Sequence, residues 1–145
     1  MKTMNLTVRT KSVLLVEDNP GDARLVREAL KGSKEPLDLS IASDGQEALD
    51  MLNTLRPDII LLDLNLPKID GRDVLKTIKS DPKLKRIPVV VLSTSESETD
   101  INDAYDAHAN SYIAKPLDFT QFTNIVHDIQ RYWLGSCVIS PTRLN

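Results

Sequence analysis

Short unbroken apolar runs alternate along the chain with longer stretches in which apolar residues return every three or four positions. Val13–Val16, Ile59–Leu62 and Val89–Leu92 are the unbroken runs, the texture of strands buried on both faces. Leu37, Leu39 and Ile41 alternate with polar residues, and Tyr112-Ile113-Ala114 is a shorter run. Both suit strands at a sheet edge. Between them lie helical repeats. Asn19-Pro20 predicts a helix start, followed by Ala23, Val26 and Leu30 with Leu25 and Ala29 beside them. Ser43-Asp44-Gly45-Gln46 predicts a capping box ahead of Ala48, Leu52 and Leu55. Asp70 caps a third repeat carrying Val74, Leu75 and Ile78, which Asp81-Pro82 ends. Residues 97–107 are very polar, with only Ile101, Ala104 and Tyr105 as an apolar stripe. Phe119, Phe122, Ile125, Val126, Ile129 and Trp133 mark a final amphipathic helix.

Strict strand–helix alternation implies right-handed crossovers and a parallel sheet covered by helices on both faces. The strand textures set the order. Fully apolar runs belong at the centre, and the alternating second and short fifth strands belong at the edges. The expected fold is therefore a doubly wound α/β domain of five parallel strands in the order 2-1-3-4-5. Strands one and three meet at its switch point, where such sheets build their sites.

Length and charge narrow the function. The chain has 145 residues, 41% of them hydrophobic, which suits one domain with a full core. Residues 1–10 read as a loose leader, 11–134 as the domain and 135–145 as a short tail. A net charge of −3, with 18 Lys and Arg scattered rather than clustered, argues against a nucleic-acid-binding surface. No apolar run has the length of a membrane span, and the leader lacks a signal-peptide core. Cys137 is the only cysteine. It reads as a small apolar side chain, and the whole pattern fits a cytoplasmic protein.

The chemistry lies in acids at strand ends: Glu17 and Asp18 close the first run, and Asp63 closes the third strand. Two carboxylates about 4 Å apart repel by roughly 4 kcal/mol at an effective dielectric near 20, so three gathered together call for a cation. Oxygen-only ligands at a solvent-facing edge favour Mg²⁺. One Cys and two distant His residues give no zinc spacing.

VLLVEDNPGDARLV, IILLDLNLPKIDG, PVVVLSTS and SYIAKP, four separated motifs in order, resemble the receiver domain of two-component response regulators. The resemblance spans about residues 11–134 and implies a flavodoxin-like (βα)₅ fold. It also implies roles. Asp63 resembles the phosphoacceptor, Asp18 the direct metal ligand, and Glu17 a ligand acting through metal-bound water. The Asn65 backbone carbonyl would complete the protein's share of the ion. Ser93 resembles the hydroxyl that bonds the phosphoryl group, and Lys115 the lysine that pairs with it. Tyr112 holds the aromatic switch position. Counting from Asp63 to Lys115 without a gap selects Ser93 over the adjacent Thr94 for that hydroxyl. The resemblance also raises a cis Lys115-Pro116 bond, which would aim the lysine inward. The implied donor is a phosphohistidine on a partner histidine kinase.

NPGDARLVREAL, DLNLPKIDGRDVL and the RYWL tail are similar to single-domain regulators that partner phytochrome-type kinases. With no DNA-binding module after the receiver, output falls to a partner, an oligomer change or phosphate relay. Apolar residues crowd the C-terminal end, which predicts a C2 homodimer through Phe122, Ile129, Trp133, Leu134, Val138 and Ile139, with Tyr132 beside them. Three other readings use the same topology. An inactive receiver could serve as a binding module only. A haloacid dehalogenase-type phosphatase needs a second acid where Asp63-Leu64-Asn65 has Asn65. A flavodoxin-like FMN carrier needs a phosphate cradle where Glu17 and Asp18 stand.

Overall fold

In the sheet the strands run in the order β2-β1-β3-β4-β5, all parallel, as the strand textures predict. A computed structural model describes residues 10–33 and 36–137. Its elements are β1 (Lys11–Val16), α1 (Pro20–Lys31), β2 (Leu37–Ala42), α2 (Gly45–Met51), β3 (Ile59–Leu62) and α3 (Gly71–Ser80). They continue with β4 (Val89–Ser93), α4 (Glu98–Asp106), β5 (Ser111–Ala114) and α5 (Phe119–Arg131), followed by a π-helical turn, Tyr132–Ser136.

Pleating divides each central strand between two cores. Leu14, Val16, Ile60, Leu62, Val89 and Val91 face Leu75 and Ile78 of α3 and Ala48 of α2. Their neighbours Val13, Leu15, Ile59, Leu61, Val90 and Leu92 face Val26 of α1 and Phe122 and Val126 of α5. A strand with both faces covered has no room for polar alternation, which is why β1, β3 and β4 read as unbroken apolar runs.

Caps set where the helices begin. Asn19 accepts from the Asp22 amide at 3.1 Å, and Asp118 from the Gln121 amide at 3.0 Å. The capping box ahead of α2 sits one residue later than the sequence suggests. Asp44 is the cap and accepts from the Glu47 amide at 2.7 Å, while Glu47 reaches back to accept from the Ser43 amide at 2.6 Å. Asp and Glu serve these positions as well as Ser and Gln do. The polar segment does form α4, capped by Ser97, whose hydroxyl oxygen accepts from the Asp100 amide.

The C-terminal end differs from expectation. Phe122, Ile129 and Leu134 are only 4%, 5% and 6% exposed. All three lie in the α1/α5 core of this protomer, so they are not free to line an interface. The π turn continues α5 and brings Leu134 into the same core. Trp133 packs half-buried on the same core, and Tyr132 meets its ring edge-on at 5.1 Å between centroids. Val138 and Ile139 lie outside the described residues.

Candidate functional site

Backbone pairing continues one residue past the strand ends and sets the acids side by side. The Glu17 amide donates to the Ala42 carbonyl at 2.9 Å, and the Asp63 amide donates to the Val16 carbonyl at 3.0 Å. One carboxylate oxygen each from Glu17, Asp18 and Asp63 therefore falls within 4.8 Å of the others. Glu17 and Asp63 are buried and Asp18 is exposed. An all-oxygen, half-open cluster of this kind fits a hard divalent cation that keeps part of its water.

Lys115 directly follows β5, the edge strand. Its amide donates to the Ser93 carbonyl at 2.7 Å, which fixes the β5 end against β4. Its Nζ then donates to Glu17 at 2.5 Å, Asp22 at 2.9 Å and Asp63 at 3.3 Å. The three donors of the ammonium have three carboxylate acceptors. No cis peptide bond occurs among the described residues, so Lys115-Pro116 is trans, the ordinary preference of such bonds. Strand pairing and the acids aim the lysine inward without a cis bond.

Burial shifts both partners. Desolvation pushes Glu17 up to about 7, against the pull of its hydrogen bond to Lys115 and with help from the charge of Asp63. Desolvation opposes the charged form of Lys115, but hydrogen bonds to Glu17 and Asp22 outweigh it and raise the lysine above its ordinary value.

Asp63 leaves β3 into a tight Asx turn in which its side chain accepts from the Asn65 amide at 3.1 Å. Gly71 packs directly beneath. A Cβ there would lie 2.3 Å from the Asp63 carbonyl oxygen and 2.5 Å from the Leu64 Cα. Only glycine lets α3 approach the strand end so closely.

On the next strand, Ser93 is fully buried and its hydroxyl oxygen accepts from the Ser95 amide at 3.2 Å, while Thr94 is exposed. Tyr112 is half-buried on β5, one strand further out.

Two groups escaped the sequence reading. Asp22, on the first turn of α1, was given no role by the sequence; only the fold reveals its contact with Lys115. The other is a chain of polar contacts on the loop after Ser93. The Ser95 hydroxyl donates to Asp100 at 2.6 Å, and Arg72 of α3 donates to the other Asp100 oxygen at 2.5 Å. These hydrogen bonds, from Ser95 first and Arg72 second, hold Asp100 below the usual carboxylate range. Arg72 and Asp100 are 28 residues apart in sequence, so no local pattern announces their pairing.

Comparison with known proteins agrees with this geometry. The family model described as "Response regulator receiver domain" matches residues 13–127. Response regulator Rcp1 of Synechocystis sp. is 47% identical over 136 residues, covering 89% of this chain and 92% of the relative. The Mn²⁺-bound crystal structure of Rcp1 matches with a TM-score of 0.86 at 45% identity, over 90% of this chain and 99% of that one. The phosphorylated cyanobacterial phytochrome response regulator RcpA matches with a TM-score of 0.87 at 50% identity, again over 90% and 99%. With strand order, acidic cluster and family model in agreement, the chain belongs to the response regulator receiver domains, signalling modules rather than turnover enzymes.

Proposed function

We propose that this chain is a phosphorylation switch in which Asp63 accepts a phosphoryl group from a phosphohistidine of a partner histidine kinase. The observation that carries the reading is the meeting of Lys115 with Asp63 beside Glu17 and Asp18. A carboxylate oxygen of Asp63 attacks phosphorus as the phosphorus–nitrogen bond breaks, leaving an acyl phosphate. Such transfer depends on positioning and on neutralising charge. Lys115 donates to one phosphoryl oxygen and the Ser93 hydroxyl to another. Asp18, Asp63 and the Asn65 carbonyl would hold Mg²⁺, with Glu17 acting through its water. When bound, the ion neutralises charge on the remaining phosphoryl oxygen. Ser93, Tyr112 and the loop through Thr94 would carry the change outward.

The partner kinase is proposed to be of the phytochrome type. RcpA, 50% identical to this chain, is described as a cyanobacterial phytochrome response regulator. The site of action is proposed to be the cytoplasm. Among the described residues no helix is long and apolar enough to cross a membrane, and the net charge of −3 gives no support to nucleic-acid binding. A homodimer is proposed through Tyr132, Trp133 and the tail, including Val138 and Ile139, with the buried Phe122, Ile129 and Leu134 as its scaffold.

Incubation with Mg²⁺ and acetyl phosphate tests the switch. Intact-mass analysis should show one stable added phosphoryl group, absent in Asp63→Asn. Steady hydrolysis of phosphomonoesters without a labelled protein would favour the phosphatase reading, and no label at all the inactive binding module. Transfer from a purified phytochrome-type kinase, compared with an unrelated histidine kinase, tests the partner.

A further inference from the structure

Asp22 lies within the first motif but has no role assigned to it there, yet it makes the second-shortest of the three carboxylate contacts of the site lysine. Its carboxylate accepts from Lys115 Nζ at 2.9 Å, between the contacts to Glu17 at 2.5 Å and Asp63 at 3.3 Å. The Lys115 side chain is 5% exposed and that of Asp22 is 26% exposed. The placement is built from below: Asn19 caps α1 by accepting from the Asp22 amide, which fixes the first turn and points this acid toward the end of β5. An acid in a first helical turn ordinarily needs no more reason than the helix dipole. Here it reaches an almost fully buried ammonium from a residue 93 positions away.

We propose that Asp22 is a positioning residue for Lys115, acting on phosphoryl binding without touching the phosphoryl group. Of the three acids on the ammonium, Glu17 and Asp63 belong to the acidic cluster that fits a cation, and Asp63 also takes the phosphoryl group. Both are therefore called away when the site fills. Asp22 alone stays with the lysine in every state, leaving its other donors aimed at the Asp63 oxygens. Without Asp22 the ammonium closes on Glu17 and Asp63 and occupies the lone pairs that the cation needs. The inference rests on the Asp63 phosphoacceptor reading.

Calorimetric titration of the full chain with beryllofluoride in saturating Mg²⁺ tests it. Asp22→Ala should weaken beryllofluoride binding by about tenfold, the scale of one charge-assisted hydrogen bond. Asp22→Asn, which keeps an acceptor oxygen at the same place, should stay within about threefold of the parent. In a Lys115→Met background, Asp22→Ala should change the affinity by less than about twofold, because its effect runs through the lysine. Parent-like affinity in Asp22→Ala, equal losses in Asp22→Ala and Asp22→Asn, or an undiminished loss in the Lys115→Met background each overturns the proposal. Thermal unfolding of Asp22→Asn checks that the fold is retained. Failure of the unsubstituted chain itself to bind beryllofluoride would instead overturn the Asp63 reading.

Discussion

The Tyr112 hydroxyl donates to the Ser95 carbonyl oxygen over 2.8 Å, tying β5 to the loop that leaves Ser93. The same residue, Ser95, donates its amide to the Ser93 hydroxyl and its own hydroxyl to Asp100. Three contacts thus converge on one loop residue directly beyond the buried Ser93. On the proposed role of Ser93, a movement of its hydroxyl toward a phosphoryl oxygen would disturb Ser95, and through it both Tyr112 and α4.

Tyr112→Phe isolates one of these ties. It removes a hydrogen bond and little volume, so it should cost about 1 kcal/mol of unfolding free energy. Amide exchange should speed up at residues 94–97 while the amides of β1 and β3 keep their protection. Unchanged exchange in that loop would show that the hydroxyl does not hold it.

The approach of α3 to the end of β3 gives a second expectation. Gly71→Ala would place a Cβ 2.3 Å from the Asp63 carbonyl and 2.7 Å from the Leu64 carbonyl, and both are backbone atoms that cannot swing aside. The loss should be about 2–4 kcal/mol by chemical denaturation. Mg²⁺ affinity should fall with it, since relief of the clash displaces the residue that carries the Asp63 side chain.

These two cases show what a sequence of this kind exposes and what it hides. Strand order was legible because burial on two faces leaves a different mark from burial on one, as in Val89–Leu92 against Leu37–Ile41. Glu17, Asp18, Asp63 and Lys115 were legible because each follows an apolar run, and the fold carries such ends to one edge. Asp22 and Asp100 were not, because their partners Lys115 and Arg72 come from other elements and neither acid breaks a local pattern. The C-terminal end misled for a related reason. A helical stripe of Phe122, Ile129 and Leu134 reads the same whether it packs on its own sheet or on a second chain.

Removing the lysine should separate stability from metal binding. Lys115 and Glu17 are 5% and 3% exposed, so Lys115→Ala leaves buried carboxylates without their counter-charge. The metal-free protein should lose about 2–3 kcal/mol, below the roughly 3–5 kcal/mol of a broken buried pair because Glu17 can take up a proton. Mg²⁺ should bind several-fold more tightly, having lost a competing cation, while labelling by acetyl phosphate falls. Denaturant curves with and without Mg²⁺ read both effects. Weaker cation binding in the variant would contradict the placement of the ammonium among the ligands.

The pH dependence follows from Glu17, whose carboxyl is pushed up to about 7, first by burial. Its folded-state value lies above the unfolded one, so the unfolded chain binds fewer protons in between. Stability of the metal-free protein therefore declines as pH rises from about 4.5 toward 7, then levels off. A cation needs the carboxylate, so Mg²⁺ affinity should climb over the same upper range and flatten above about pH 7.5. Denaturation at saturating Mg²⁺ should show the decline removed. A cation affinity independent of pH between 6 and 8 would mean that Glu17 is already ionised throughout.

The C-terminal end offers the sharpest contrast between core and surface. Leu134 is 6% exposed and packed in the α1/α5 core, whereas Tyr132, two residues earlier, is 57% exposed. Leu134→Ala should therefore cost about 2–4 kcal/mol, a core truncation with a cavity left behind. Tyr132→Ala should leave stability within about 0.5 kcal/mol of the parent, as surface changes do. If the proposed homodimer forms here, Tyr132→Ala and Trp133→Ala should weaken it in sedimentation equilibrium, with the fold intact for Tyr132→Ala. A truncation that tests the tail must end after Cys137, because one beginning at Trp133 also removes Leu134 from the core and would confuse unfolding with dissociation. A tight dimer in both single variants and in that truncation would move the interface to another face of the domain.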